Sequence, residues 1–286
     1  MRIAVTGASG QLGTDLLRIL GDSAVGFSHD DLDITSFQDV NFALEYQEFN
    51  AVINCAAYNQ VDRAEDEEEK ATEVNSFGPL HLGTYCKMED VKFLHVSTDY
   101  VFGQSEIPEV PYREGQTPIP ACIYSQSKHS GEDIVQKFYE KHFIVRTCGL
   151  YGHAAQPTAG NFVEKMLQLA ETHSQISVVN DQRCTPTSSS DLAEWLVQLI
   201  QTEEYGLYHA TNSSSTTWYE FACEIFRLAG IDVEVQPIST AEFGAKAKRP
   251  VYSVLDCSKL KDVLQIEIPT WQDALARYLT ERNENS

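Results

Sequence analysis

Positive charge is scarce in this sequence. Its 286 residues carry 21 Lys and Arg against 42 Asp and Glu, a formal net charge of −21 with a pI near 4.6. Nucleic acid and anionic membrane surfaces repel such a chain at long range, so neither is an expected partner. An anionic ligand would need local cations, which makes the few basic residues informative. Paired cysteines are also missing. The seven cysteines (55, 86, 122, 148, 184, 223 and 257) are scattered, odd in number and without a Cys-x-x-Cys pair. This pattern excludes a disulfide framework and a thiolate zinc site, so no metal is expected. No apolar run approaches the length of a membrane span. The first apolar run starts too early to leave room for a signal peptide, so a cytoplasmic protein is expected. Internal repeats and low-complexity segments are absent as well.

What is present suffices for a sizeable core: 42% of residues are hydrophobic, which argues against disorder. The opening Met1-Arg2-Ile3-Ala4-Val5-Thr6-Gly7-Ala8-Ser9-Gly10-Gln11-Leu12-Gly13 runs a β-forming stretch into three glycines. The next seven residues have helical spacing. Strand, glycine turn and helix are the context of a dinucleotide-binding fingerprint, although Gly7, Gly10 and Gly13 depart by one residue from its commonest spacing. Glycines there admit the pyrophosphate to the backbone, and the helix start offers N–H groups and a positive dipole end.

Apolar runs at 2–6, 51–55 and 91–97 alternate with amphipathic stretches near 11–20, 36–48 and 65–87, with a short second strand over 25–27. That alternation predicts an α/β fold, a Rossmann-type doubly wound parallel sheet with helices on both faces. The acidic run 65–69 reads as the first turns of the long helix, where carboxylates complement the dipole. Residues 104–120, with four prolines, read as a loop over the active site. After Tyr151-Gly152 the texture changes: helices are expected at 161–173, 190–201, 217–229 and from about Trp271, and strands at 176–179 and 206–210. The chain therefore divides into a dinucleotide-binding domain over 1–150 and a mainly substrate-binding portion over 151–286, some segments of which rejoin the first.

Tyr124 and Lys128 stand four residues apart, hence on one face of a helix. The lysine's charge can draw down a phenol that ordinarily titrates near pH ~10. With a second hydroxyl from Thr98, at the end of a strand, such a phenol can deliver a proton to a carbonyl oxygen while hydride reaches the carbon.

With Ser97-Thr98-Asp99-Tyr100-Val101-Phe102 and Tyr124-x-x-x-Lys128 beside the glycine turn, the chain resembles the extended short-chain dehydrogenase/reductases, and more narrowly the dTDP-4-dehydrorhamnose reductase family. The likeness runs almost end to end, through Asn54-Cys55-Ala56-Ala57-Tyr58, Val61-Asp62-x-Ala64-Glu65, Asn75, Gly131-Glu132, Arg146-Thr147, Asn161-Phe162-Val163, Trp218-Tyr219-x-Phe221-Ala222 and Arg249-Pro250. The resemblance implies NAD(P)H-dependent reduction of the C4 keto group of a nucleotide-linked 6-deoxyhexose, most simply dTDP-4-dehydro-L-rhamnose to dTDP-L-rhamnose. It implies Tyr124 as proton donor, Thr98 as a partner of the keto oxygen, and Lys128 as the group that tunes Tyr124 and holds the nicotinamide ribose. Gly7, Gly10, Gln11, Leu12, Gly13, His29, Asp33, Ala56, Ala57, Tyr58 and Asn75 would serve the cofactor, Asn75 as an anchor of active-site backbone, its other reading being a satisfied core amide. Thr98, Asp99, Val101, Phe102 and Asn161 would serve the substrate, and Arg249 its diphosphate, since a guanidinium fork pairs with phosphate oxygens.

Two departures keep alternatives open. Gly149 stands where many family members carry a tryptophan, and the segment 153–160 is longer than usual there. Another nucleotide-sugar 4-reductase or epimerase, or a non-catalytic regulatory subunit of the same fold, are the other readings, and a homodimer is compatible with all three. For the cofactor, Phe27-Ser28-His29-Asp30-Asp31-Leu32-Asp33 follows the second strand with acids, one His and no Arg or Lys. Asp33 would cap the following turn, and His29 would meet a phosphate only when protonated. NADPH or NADH are both expected, NADH at least as good.

Overall fold

The computed structural model describes residues 1–45, 47–103, 108, 110–153 and 160–284, and the structural statements below concern these. The first half runs β1 (Ile3–Thr6), α1 (Gln11–Leu20), β2 (Ala24–Phe27), α2 (Phe37–Leu44), β3 (Ala51–Asn54), α3 (Val61–Ala64), α4 (Glu68–Thr72), α5 (Gly78–Met88), β4 (Lys92–Thr98), α6 (Ile123–Phe138) and β5 (His142–Thr147). The second runs β6 (Leu150–Tyr151), α7 (Phe162–Ala170), β7 (Gln175–Val179), β8 (Arg183–Cys184), β9 (Thr187–Ser188), α8 (Ser189–Leu199) and β10 (Gly206–His209). It ends with β11 (Thr216–Thr217), α9 (Trp218–Ala229), β12 (Glu234–Ile238), α10 (Thr240–Phe243), α11 (Ser258–Leu264) and α12 (Trp271–Glu284).

Six strands form one sheet in the order β10-β5-β4-β3-β1-β2, every neighbouring pair parallel. Both faces are covered, so the strands read as apolar runs rather than as alternating ones. Ile3, Val5, Ile53, Phe143 and Val145 face Leu12 and Leu16 of α1 and Leu192, Trp195 and Leu196 of α8. Ala4, Val52, Phe93 and Ile144 face Val40, Leu44, Leu82, Tyr85 and Val135 on α2, α5 and α6. Both α8 and β10 come from the second half of the chain. The chain leaves β1 toward β2 and resumes on the opposite side at β3. The crevice at the carboxyl ends of β1 and β3 is therefore the topological switch point, where open α/β sheets bind ligands. A separate core of Tyr151, Val163, Ile176, Phe221, Ile225, Trp271 and Leu275 holds α7, α9, α12 and β7 together.

The helix expected over 65–87 is broken. It comprises α4, a wide π-helical turn at Glu73–Phe77, and α5, with α3 a separate turn just before its expected start. The widened turn brings the carbonyl of Asn75 against α6, where a Cβ on Gly131 would lie 2.2 Å from that oxygen. The helix expected over 36–48 is the shorter α2. Of the segments expected to be loops, 104–107, 109 and 154–159 lie outside the described residues. The described part of the first is pinned by bridges from Ile119 to Phe102 and from Tyr112 to Leu255.

Candidate active site

The glycine turn fills the crevice at the switch point. Gly7 has φ +67, and a Cβ there would lie 2.7 Å from the backbone of Cys55 and Ala56. A Cβ on Gly13 would lie 2.4 Å from the Gly7 carbonyl oxygen. Only glycine permits these approaches. Gly10 caps α1 without a side-chain hydrogen bond, so Gln11, Leu12 and Gly13 present the positive, N–H-bearing end of the helix to the crevice. Leu12 sends its side chain into the core, which leaves its backbone for a ligand. The opposite wall is held by two asparagines. Asn54 accepts from the Ala56 N–H at 3.1 Å and from Thr6 Oγ1 at 2.7 Å. Asn75 accepts from the Tyr58 N–H at 2.9 Å and donates to the Tyr58 carbonyl and Ser127 Oγ, both at 3.0 Å. Ala56 and Ala57 between them are partly open. A glycine cradle and a small-residue wall of this kind fit a dinucleotide. Asn75 is fully buried, so its place among the cofactor residues is as an anchor of that wall. Tyr58 likewise turns its hydroxyl away, to Glu67 at 3.0 Å.

At the end of β2, His29 is exposed and beside no Arg or Lys in sequence. Asp31 accepts from Ser28 N and Oγ, and Asp33 accepts from Thr35 N and Oγ1 at 2.9 and 2.8 Å. Asp33 thus caps its turn.

Thr98 ends β4, and Tyr124 and Lys128 project from the first two turns of α6. The Thr98 hydroxyl hydrogen-bonds Tyr124. Burial pushes the Tyr124 phenol well above its ordinary range, with that hydrogen bond opposing. The expectation that Lys128 depresses this phenol is not met here. The lysine ammonium is turned to the Val96 carbonyl at 2.7 Å, and its own pKa is lowered to about 8 by burial, with Glu132 and Cys55 pulling upward. A phenol held high stays protonated at neutral pH, as a proton donor must. Asp99 is buried beside Thr98, and burial raises its carboxyl to about 6 against hydrogen bonds with Cys148, Ser253 and Thr98. Tyr100, absent from the expected set, stands edge-on to Tyr124 with centroids 5.7 Å apart.

Beneath the trio lies a dry ion pair. Glu132, one turn beyond Lys128, receives Arg146 Nε at 2.9 Å and Nη2 at 2.6 Å, and both side chains are sealed from solvent. The 124, 128, 132 spacing marks one helix face and was the available signal for Glu132.

The acidic run does more than complement a dipole. Glu68 and Glu69 do open α4, but Glu65 accepts from the Ile123 N–H at 2.9 Å and so caps the helix of Tyr124. Just before the run, Asp62 takes the Arg249 fork, from Nη1 at 3.0 Å and Nη2 at 2.7 Å. Arg249, expected at the substrate diphosphate, is therefore paired with Asp62, and it also meets the Tyr100 hydroxyl. Three residues assigned to the substrate turn away from the site. Val101 and Phe102 are fully buried, packed with Tyr112 and Leu255, and so back the site without lining it. Asn161 is buried as the N-cap of α7, accepting from Glu164 N and donating to the Gly152 carbonyl.

Known proteins are similar to this chain along almost its whole length. The family model described as RmlD substrate binding domain matches residues 1–284. A dTDP-4-dehydrorhamnose reductase of Streptomyces griseus is 39% identical, over 96% of this chain and 91% of its own. The spore coat polysaccharide biosynthesis protein SpsK of Bacillus subtilis is 35% identical, over 99% and 98%. The crystal structure of dTDP-4-dehydrorhamnose reductase from Bacillus anthracis in complex with NADP is similar with a TM-score of 0.93 at 38% identity, covering 98% of this chain and 99% of that one.

Proposed function

This chain belongs to the dTDP-4-dehydrorhamnose reductase family, and on that premise we propose that it reduces dTDP-4-dehydro-L-rhamnose to dTDP-L-rhamnose with NADH or NADPH. The observation that carries the reading is the convergence of Thr98, Tyr124 and Lys128 beside the glycine cradle at the switch point. A bound reduced nicotinamide supplies the hydride for C4. Tyr124, held as a neutral phenol, delivers the proton to the C4 oxygen. Thr98 donates a hydrogen bond to that oxygen and polarises the carbonyl. Lys128, one turn along α6, offers its ammonium to the cofactor ribose. We assign residues 1–150 mainly to the cofactor and 151–286 mainly to the sugar nucleotide, in a cytoplasmic protein.

Mixing the protein, reduced cofactor and the 4-keto sugar nucleotide should consume the cofactor's absorbance; a flat trace refutes the assignment. Tyr124→Phe should lower kcat by about two to four orders of magnitude with cofactor affinity nearly unchanged. Near-normal turnover in that variant would remove Tyr124 from its role. The acids after β2 favour a free ribose hydroxyl, so NADH should serve at least as well as NADPH. A kcat/KM ratio favouring NADPH by more than about tenfold, roughly 1.4 kcal/mol, contradicts this.

A second reading, reduction at C4 of a related nucleotide-linked sugar, is favoured by Gly149. This residue has φ +52, and a Cβ there would lie 3.0 Å from the Trp218 ring. The aromatic wall at this point therefore comes from α9. Relative kcat/KM over a panel of 4-keto sugar nucleotides separates the two readings.

A further inference from the structure

The loop 244–250 reaches from the second half of the chain to α3, and Asp62 receives it. Besides the Arg249 fork, the Asp62 carboxylate accepts from the Ala247 N–H at 2.9 Å and from the Lys246 N–H. Lys246 closes a second tie with its ammonium on Asp66. Ala247 between the two ties is buried. From Arg249 onward the same strand of chain lies against the substrate end of β4. Arg249 meets the Tyr100 hydroxyl, and Ser253 hydrogen-bonds Asp99, both immediately after Thr98.

The fork leaves the guanidinium a usable edge. Of the five N–H donors of an arginine, Nη1 spends two on Asp62 and the Ala247 carbonyl, and Nη2 spends one on Asp62. Of the Nε–H and the second Nη2–H on the other edge, one meets the Tyr100 hydroxyl, which leaves one N–H beside that hydroxyl for a phosphate oxygen. The charge of Asp62 is shared with two backbone donors, so it orients the guanidinium without fully consuming it.

We propose that Asp62 is a positioning residue for the sugar nucleotide, which clasps the loop 246–249 to α3 and, through Arg249, aims that remaining edge at the substrate's diphosphate, with Asp66–Lys246 as the auxiliary tie. The inference rests on the nucleotide-sugar reading above. It makes Asp62 act on substrate binding alone, because it touches none of Thr98, Tyr124 or Lys128.

The test uses the full chain with reduced cofactor. Asp62→Asn should raise the KM for the sugar nucleotide by about tenfold, with kcat within about twofold and the cofactor KM unchanged, since diphosphate binding is common to ground and transition states. In an Arg249→Ala background the same substitution should add nothing, because its effect passes through Arg249. A KM effect that persists in that background, or one that appears in kcat or the cofactor KM, overturns the proposal. Asp66→Asn, at the more exposed tie, should raise KM only about twofold and keeps the test open should Asp62→Asn fold poorly. Amide exchange at Ala247 judges the clasp without any substrate. It should accelerate in Asp62→Asn, and equal exchange in the two proteins overturns the proposal. Calorimetry with thymidine diphosphate separates the two readings. No binding to the wild type sinks the substrate assignment and leaves the clasp to the exchange measurement, whereas equal affinity in wild type and Asp62→Asn sinks the positioning role.

Discussion

Arg146 and Arg249 both meet a carboxylate through a fork, one beneath α6 and the other at the rim of the site. Arg146 and Glu132 are 2% and 0% exposed, whereas Arg249 and Asp62 are 17% and 47% exposed. The inner pair is closed in on every side. Phe102 lies over the guanidinium with 5.1 Å to its centroid, and His209 approaches at 3.5 Å. Burial, reinforced by Arg146, lowers the pKa of His209 to about 3, so it adds no second cation. Sealed from solvent, the inner fork is framework, and its members are costly to separate. The outer fork has solvent on one side and a guanidinium edge outside the Asp62 pairing, beside the Tyr100 hydroxyl, so it can take a ligand without breaking. Solvent access, not the chemistry of the contact, divides structural from functional arginine here.

The largest expected effect tests the inner member. Glu132→Gln should destabilise the fold by about 3–5 kcal/mol, because it leaves a buried guanidinium uncompensated, and should appear as a large fall in melting temperature. If Asp62→Asn lowers the melting temperature as much, the division between the forks fails. Acid should reveal the same member. Burial, the largest single influence, would raise the Glu132 carboxyl, but hydrogen bonds from Arg146, His129 and Ser97, with the charge of Arg146, together outweigh it and leave the pKa at about 2. A folded pKa below the unfolded value of ~4.3 means the stabilisation is complete above the latter and is lost as pH falls toward the former. Next comes Arg249→Ala. Its stability cost should stay below about 1 kcal/mol, as for other exposed pairs, while the KM for the sugar nucleotide rises by about tenfold or more. Raising ionic strength shortens the screening length from about 10 Å at 0.1 M to about 3 Å at 1 M. Wild-type KM should therefore climb with salt, and that of Arg249→Ala should not. A salt response equal in both proteins would place the diphosphate elsewhere.

The difference between the forks also marks how far the sequence could be read. The parallel sheet, the glycine turn and the Tyr124–Lys128 face were legible because each is local: an apolar run, a turn chemistry, a four-residue spacing. Val101, Phe102 and Asn161 were misplaced because contiguity with a motif says nothing about which way a side chain points, and all three are turned inward. Asp62 and Arg249 are 187 positions apart, and no periodicity links residues that the fold brings together from opposite halves. The break of the 65–87 helix was hidden for a related reason. Its helical spacing continues through the wide turn at Glu73–Phe77, and the demand for that turn comes from α6, where Gly131 meets the Asn75 carbonyl.

The smallest effect concerns Lys128, where the inner fork touches catalysis without contacting a reactant. Burial lowers the Lys128 pKa to about 8, and the nearby Glu132 carboxylate works in the opposite direction. The protonated lysine is the useful form, since all three of its N–H donors are then available, one for the Val96 carbonyl and the others for ribose hydroxyls. Raising pH through about 8 should therefore remove activity, more than two units below an ordinary lysine at ~10.4. The profile of kcat/KM against pH should show this alkaline limb in the wild type and at the same position in Asp62→Asn, because Asp62 is not among the groups that set the Lys128 charge. In Glu132→Gln, assayed well below its melting temperature, the limb should move to lower pH, because the favourable carboxylate is gone while burial remains. An alkaline limb that stays put in Glu132→Gln would confine the inner fork to holding the fold. One that moves in Asp62→Asn would show that the two forks are not electrostatically separate.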